Sequence, residues 1–474
     1  MLQSRVLRVL ANRLSDQQFV KQPHSIPVSK WQKSKVDKFY RLFILKNPFY
    51  KKGFAPNPEV LKAYKWYYDT IFTKRDRLTQ ELAPYVKKCD VEIVGKQEHE
   101  DYIQIRARFR SPMKEVLTKY EKTQILIDYI PDCADTAYFE MVLPRKEFSK
   151  VCVQFAGTGD HGYKKRRDNF AIPLIKEYNI GSVIYENAYY GKRKPEGQIR
   201  SALGYATDLV ALGGYVGFDN QIILEFLKRE FGLNNVALTG ISLGGHLACI
   251  AGCLSPYQTP IVSAMSWSSS SVVWTEGLMS ETMGFDGLNK HLETCSETRK
   301  IIKQMENEMT QVHLLQKWQG HEDPSQNSPA VFGMRVFGDY FSSFPMLPTP
   351  VSPELCKFVV AARDAYYPQI DSCPAVEDCW PGVKVDVKPN HGHVTGYICG
   401  NDMFGEALDE VLEKNAKRLK HELGVHSGDF KGLKIIDNPP DDVWVDNKTK
   451  FIAFFDPIVV FGISAARSLI KRFL

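Results

Sequence analysis

The stretch VALTGISLGGHLACIAGCL, residues 236–254, decides how this chain is read. Val236, Ala237, Leu238 and Thr239 have the apolar and β-branched character of a buried strand. HLACIAGCL, at 246–254, has the apolar character of a buried helix. Between them stand Gly240, Ile241, Ser242, Leu243 and Gly244, a G-x-S-x-G. A strand that turns this sharply into a helix needs small residues beside the apex, and it lifts the apex residue clear of both elements. A serine there, at a helix start that aims unpaired N–H groups outward, is a candidate nucleophile.

A serine hydroxyl attacks only when a base takes its proton, and in this topology the order along the chain is serine, acid, histidine. Downstream, the apolar run FVVAA (358–362) leads into Arg363 and Asp364, so Asp364 stands in a loop just past a strand and is the candidate acid. The bland reading is a loop aspartate satisfied by nearby amides, with Asp371 and Asp378 as substitute acids. The run NHGHV (390–394) follows the strand-like VKVDV (383–387) and precedes the last helix. Of its two histidines, His393 has a glycine directly before it and is the candidate base. His391 is then a loop or supporting residue, and His246 packs on its helix. Upstream, Val151–Phe155 runs into Ala156, Gly157, Thr158, Gly159, Asp160 and His161. Two backbone N–H groups must meet the developing oxyanion. Leu243 supplies one, and Gly157 or Thr158 the other. No Gly-Lys-Ser/Thr follows these glycines, which argues against a phosphate cradle.

Working outward, strand-like and helix-like runs alternate from about residue 150, the pattern of a doubly wound sheet. The implied fold is α/β, an α/β-hydrolase fold with a mostly parallel central sheet and helices on both faces. Residues 146–425 form this core. Residues 268–350 break the alternation with a polar helical stretch and a Pro-rich loop, and read as an inserted helical lid. Residues 37–145 read as an N-terminal helical extension with leading strands. Phe39, Leu42 and Phe43 make one apolar stripe, and Tyr64, Tyr67, Tyr68 and Ile71 another, facing either the core or a lipid surface. Residues 90–148 are strand-rich and predict an antiparallel edge. Residues 1–36 read as a possible targeting segment and linker, because MLQSRVLRVLANRL carries Leu2, Val6, Leu10 and Leu14 four apart and no acid. An ordinary surface helix would look the same. Residues 426–474 form a tail with an apolar amphipathic segment, interrupted by Asp456-Pro457.

The composition fits a soluble globular protein: of 474 residues, 44% are hydrophobic and 24% charged. The net charge of +6 is mild, and no nucleic-acid-binding motif accompanies it, so nucleic acid is excluded as partner. The ten cysteines show no C-x-x-C framework, which favours reduced thiols, although Cys373 and Cys379 could close a small loop.

AGTGDHGYKKRR, ENAYYGKRKPEGQIRS, GISLGGHLA, AARDAYYP and HGHVTGY together resemble the α/β-hydrolase domain-containing family, member eighteen, in order over about residues 37–425. The resemblance implies Ser242, Asp364 and His393 as a catalytic triad, a mitochondrial setting (cytoplasmic or secreted being the alternatives), and deacylation of a phospholipid, cardiolipin first. It implies no cofactor and no metal. The expected partner is a lipid substrate at a membrane surface, with peripheral membrane association. In this light the runs Lys164–Arg167 and Lys192–Lys194 lie at the carboxyl edge of the sheet, and Arg166, Arg167 and Arg193 are candidates to receive an anionic headgroup. The rival expectations are a small-ester hydrolase or thioesterase, and a non-catalytic hydrolase-fold scaffold.

Overall fold

Among the described residues nine strands join in one sheet, antiparallel at one edge and parallel across the rest. The computed structural model describes residues 34–41, 48–311, 328–367 and 373–444. The basic N-terminal stretch, Leu42, Phe43, Asp371 and the apolar C-terminal segment lie outside the described residues, and so does the Phe39 side chain.

Strands β1 (Glu92–Glu98), β2 (Tyr102–Arg110) and β3 (Thr136–Pro144) form the antiparallel edge that the sequence predicts. β3 joins the rest by antiparallel pairing with β5 (Ile180–Tyr185). From β5 the sheet continues in parallel through β4 (Lys150–Phe155), β6 (Val236–Ile241), β7 (Ile261–Ala264), β8 (Cys356–Ala361) and β9 (Lys384–Lys388). Because successive strand side chains point to opposite faces, β4 sends Val151, Val153 and Phe155 into one core layer and Cys152 into the other. The second face is made largely of small residues: Cys152, Ala237, Val262, Ala264, Val359 and Ala361.

Among the helices, α1 is Lys35–Arg41, α2 Pro58–Tyr67, α3 Arg75–Lys88, α4 Ile172–Tyr178, α5 Ala206–Phe231 and α6 Leu243–Leu254. Then α7 is Phe285–Thr294, α8 Ser296–Gln311, α9 Pro329–Ser342 and α10 His393–Leu419. Helices α5 and α6 bury themselves in the larger core layer, and α4 and α10 cover the small-residue face. Periodicity alone marks helix α5 only over 220–231, whereas it starts at Ala206, because Gly213, Gly214 and Gly217 mask the pattern of its first half. These glycines admit close neighbours: a Cβ would meet Met113 Cε at 2.7 Å from Gly214 and Leu254 Cδ1 at 2.6 Å from Gly217.

The aromatic stripe Tyr64, Tyr67, Tyr68 and Ile71 is wholly buried, so it serves the core rather than a lipid surface. Tyr68 meets Phe341 of α9 edge-on at 5.1 Å between centroids. The insertion between β7 and β8 holds α7, α8 and α9. Its last part was expected as loop; α9 is instead a buried helix, started by Pro329 at its first turn and capped by the Ser328 side chain, which accepts from Val331 N. Cys373 and Cys379 form no disulfide and close no loop. No helix among the described residues is long and apolar enough to cross a membrane.

Candidate active site

Ser242 sits at the end of β6 with φ 59° and ψ −123°, a left-handed conformation that costs a non-glycine residue about 1–3 kcal/mol. The turn is held on both sides: Ser242 N donates to Ala264 O at 2.8 Å, and its carbonyl accepts from His246 N at 3.1 Å. Gly240 and Gly244 are forced by space. A Cβ on Gly240 would lie 2.4 Å from the Gly244 carbonyl carbon, and one on Gly244 2.2 Å from Phe155 O. Leu243 opens α6, so its N–H has no helical partner and is free to face a ligand.

Asp364 divides its carboxylate between two tasks. Oδ1 accepts from Tyr366 N at 2.8 Å and Tyr367 N at 2.7 Å, which locks the loop after β8. Oδ2 lies 2.6 Å from His393 Nδ1. The amide-satisfied aspartate and the orienting acid are therefore the same residue. His393 begins α10 and leaves Nε2 as the ring nitrogen not engaged by Asp364. Burial alone would lower its pKa, but the Asp364 carboxylate, its hydrogen bond and then Asp37 outweigh that and raise it above the ordinary value. Ser242 and His393 line one cavity.

Sequence reasoning missed Asp37. This fully buried residue of α1 accepts from Ala365 N at 3.0 Å and His393 N at 2.9 Å on Oδ2, and from Val394 N at 3.0 Å on Oδ1. One carboxylate thus joins the acid loop to the histidine helix. Burial, then the negative charge of Asp364, pushes its pKa up to about 6. The only local signal was Gly392. A Cβ there would come within 2.3 Å of Ser34 and 2.7 Å of Asp37 Oδ2, so the glycine before the base makes room for α1.

The other histidines take different places. His391 Nδ1 is buried without a partner, and burial and then Lys388 lower its pKa. His246 stacks on Phe344 at 5.6 Å and lies near Trp267 O, and burial lowers its pKa to about 4. Asp378 lies in the short helix Val376–Cys379, away from this cavity.

Gly157 and Thr158 line the cavity beside Ser242, and Gly157 abuts the elbow, its Cβ position 3.0 Å from Ile241 O. The loop is pinned by Asn187, whose side chain accepts from Ala156 N and donates to Ala156 O at 3.0 Å. Leu243 differs: its side chain lines a smaller apolar cavity on the other side of α6.

The headgroup expectation for Arg166, Arg167 and Arg193 is corrected. Arg193 is fully buried and donates to Ala134 O at 2.6 Å, Tyr185 Oη at 2.5 Å and Glu186 O at 3.1 Å, with Asp219 at 3.0 Å. Arg166 donates to the carbonyls of Gln154, Tyr185 and Gly162 and pairs with Asp160 at 2.8 Å. Arg167 is held by buried Glu140 at 2.8 Å. These guanidiniums fix loops and leave little to offer an anion. A basic run reads as solvated or ligand-facing because its buried acceptors lie far away in sequence.

The arrangement brings a strained serine, an imidazole with a carboxylate behind it, and two candidate N–H donors around one cavity. Among the described residues no metal-ligating cluster occurs. The model of a family described as "Alpha/beta hydrolase domain containing 18" matches residues 47–414. Similar solved structures include the acetyl xylan esterase from Paenibacillus sp. R4, at 14% identity over 73% of this chain and 95% of that chain, with a TM-score of 0.41. Another is acetyl xylan esterase 1 from Thermoanaerobacterium sp. JW/SL YS485, at 11% over 70% and 94%, with a TM-score of 0.37. The esterase of Pyrobaculum calidifontis matches at 10% over 72% and 92%, with a TM-score of 0.36. These likenesses are remote.

Proposed function

This chain belongs to the alpha/beta hydrolase domain containing 18 family, and we propose that it is a serine hydrolase that cleaves lipid acyl esters through an acyl-enzyme. The observation that carries the reading is the 2.6 Å contact between His393 Nδ1 and Asp364 Oδ2, made behind an imidazole that lines the same cavity as the strained Ser242. Ser242 Oγ attacks the ester carbonyl carbon as His393 Nε2 takes its proton. Asp364 holds the imidazole in the tautomer with Nδ1–H and stabilises the imidazolium. The oxyanion faces the Leu243 N–H and an N–H of Gly157 or Thr158, each such donor contributing about 3 kcal/mol to the barrier reduction. His393 returns the proton to the leaving alcohol, and water, activated the same way, releases the acid.

The resemblance seen in the sequence makes a phospholipid of the cardiolipin type the first substrate to offer, and a mitochondrial setting the first place to look. The corrected arginines no longer support headgroup recognition, so the lipid reading leans on the apolar character of the cavity. The test is labelling with a fluorophosphonate probe. Labelling is expected in the wild type and His391→Ala, and lost in Ser242→Ala and His393→Ala. A folded wild type that takes no label overturns the reading and favours a scaffold.

A further inference from the structure

The cavity does not end at Ser242. It continues between α4 and α10, where its lining becomes Phe170, Leu174, Phe404 and Leu408. All four are buried members of the core layer on the small-residue face of the sheet. On α10 the lining positions Val394 and Tyr397, and then Phe404 and Leu408, fall at helical spacing, so both ends of this stretch turn one face to the cavity. From Val394 to Leu408 that face spans about 21 Å at the rise of an α-helix. Of the charged residues that line it, Asp160, Lys165 and Arg166, Asp160 and Arg166 pair at 2.8 Å near the serine end. On the other flank of Ser242 the lining is Val273 and Met279 of the insertion, with Tyr366 and Tyr367.

An apolar lining that runs along a helix face of this length, from a candidate nucleophile to buried hydrocarbon side chains, suits a hydrocarbon chain. An extended alkyl chain advances about 1.25 Å per carbon from its ~1.5 Å single bonds, so the slot matches about 16 carbons. Each methylene buried there strengthens binding about fourfold. We propose that the slot between α4 and α10 holds the acyl chain of the substrate ester, and that Leu174, Phe404 and Leu408 at its far end set a preference for long chains. The alcohol part then lies on the flank of Val273 and Met279. This deepens the hydrolase reading and rests on it.

The test is the kcat/KM profile on p-nitrophenyl esters from two to eighteen carbons, for wild type, Leu408→Trp and Leu174→Phe. The wild-type profile is expected to rise to about 16 carbons. In each variant the ratio of the 16-carbon to the 4-carbon ester is expected to fall at least about tenfold. A wild-type maximum at two to four carbons overturns the proposal, whatever the variants do. So does an unchanged ratio in the folded variants, which would move the chain elsewhere, for example to the smaller cavity beside Leu243. Displacement of a fluorescent long-chain fatty acid from Ser242→Ala protein separates the two claims. Length-dependent displacement without any hydrolysis by wild type keeps the slot and removes the hydrolase reading. Hydrolysis of short esters without length dependence does the reverse.

Discussion

Two buried charge clusters stand at the carboxyl end of the sheet, and they are built on opposite plans. Around Arg193, one cation meets two backbone carbonyls, a phenol and the Asp219 carboxylate, with the Tyr215 ring 4.9 Å from the guanidinium. Charges balance one to one. Around His393, two carboxylates, Asp364 and Asp37, face a single imidazole. The histidine is drawn toward protonation, while Asp37 is pushed toward neutrality. A buried charge that is saturated stabilises one structure, and a group that shares an unsettled proton with its neighbours can do chemistry. Burial alone does not separate the two cases; the balance of partners does.

The comparison can be broken most severely at Asp364. Asp364→Asn keeps the shape but presents an amide to Nδ1 and favours the wrong tautomer, so kcat on an ester is expected to fall about 10⁴-fold with little change in melting temperature. A loss below tenfold would place the orienting charge elsewhere. Arg193→Leu should show the opposite signature. It strands Asp219, and unfolding is expected to become easier by about 3–5 kcal/mol, measured by denaturant titration. Below its melting temperature the variant should still take a fluorophosphonate label at Ser242. Asp37→Asn falls between. One of its three backbone N–H groups loses its acceptor, and kcat/KM at neutral pH is expected to drop about tenfold. The pH profile is the sharper measurement. The reaction needs neutral His393, whose raised pKa makes activity fall as pH drops through it. Ionised Asp37 helps to raise that pKa, so its removal should shift the acid limb to lower pH, where a purely structural role would leave it in place. The smallest effect is expected at His391→Gln, less than about twofold in kcat/KM, because the buried Nδ1 it removes has no hydrogen-bond partner to lose.

What the sequence made legible was local. The elbow at Ser242 declares itself within five residues, Asp364 by its place after an apolar run, and His393 by the glycine before it. What stayed hidden was set by distance along the chain. Asp37 reaches residues more than 320 positions away through backbone N–H groups, which no side-chain pattern encodes. The arginine runs were misread for the same reason, since Arg193 finds Asp219 on another element and Arg167 finds Glu140 on β3. Helix α9 was a different failure. Its serine cap and leading proline are readable start signals, but proline read alone marks a loop as readily as a helix start. Helix α5 is legible only in its second half, because Gly213, Gly214 and Gly217 dilute periodicity, the latter two at close packing contacts.

The crowding at the elbow bears on genetics. Gly240 and Gly244 face backbone, not movable side chains, and neither has room for one methyl group. Each is therefore expected to give a null allele on substitution by alanine, as severe as loss of the serine they flank. A screen of random missense variants would return these positions beside Ser242, and without the structure they would be credited to the reaction. Their defect is spatial: the chain has no other way to make the turn.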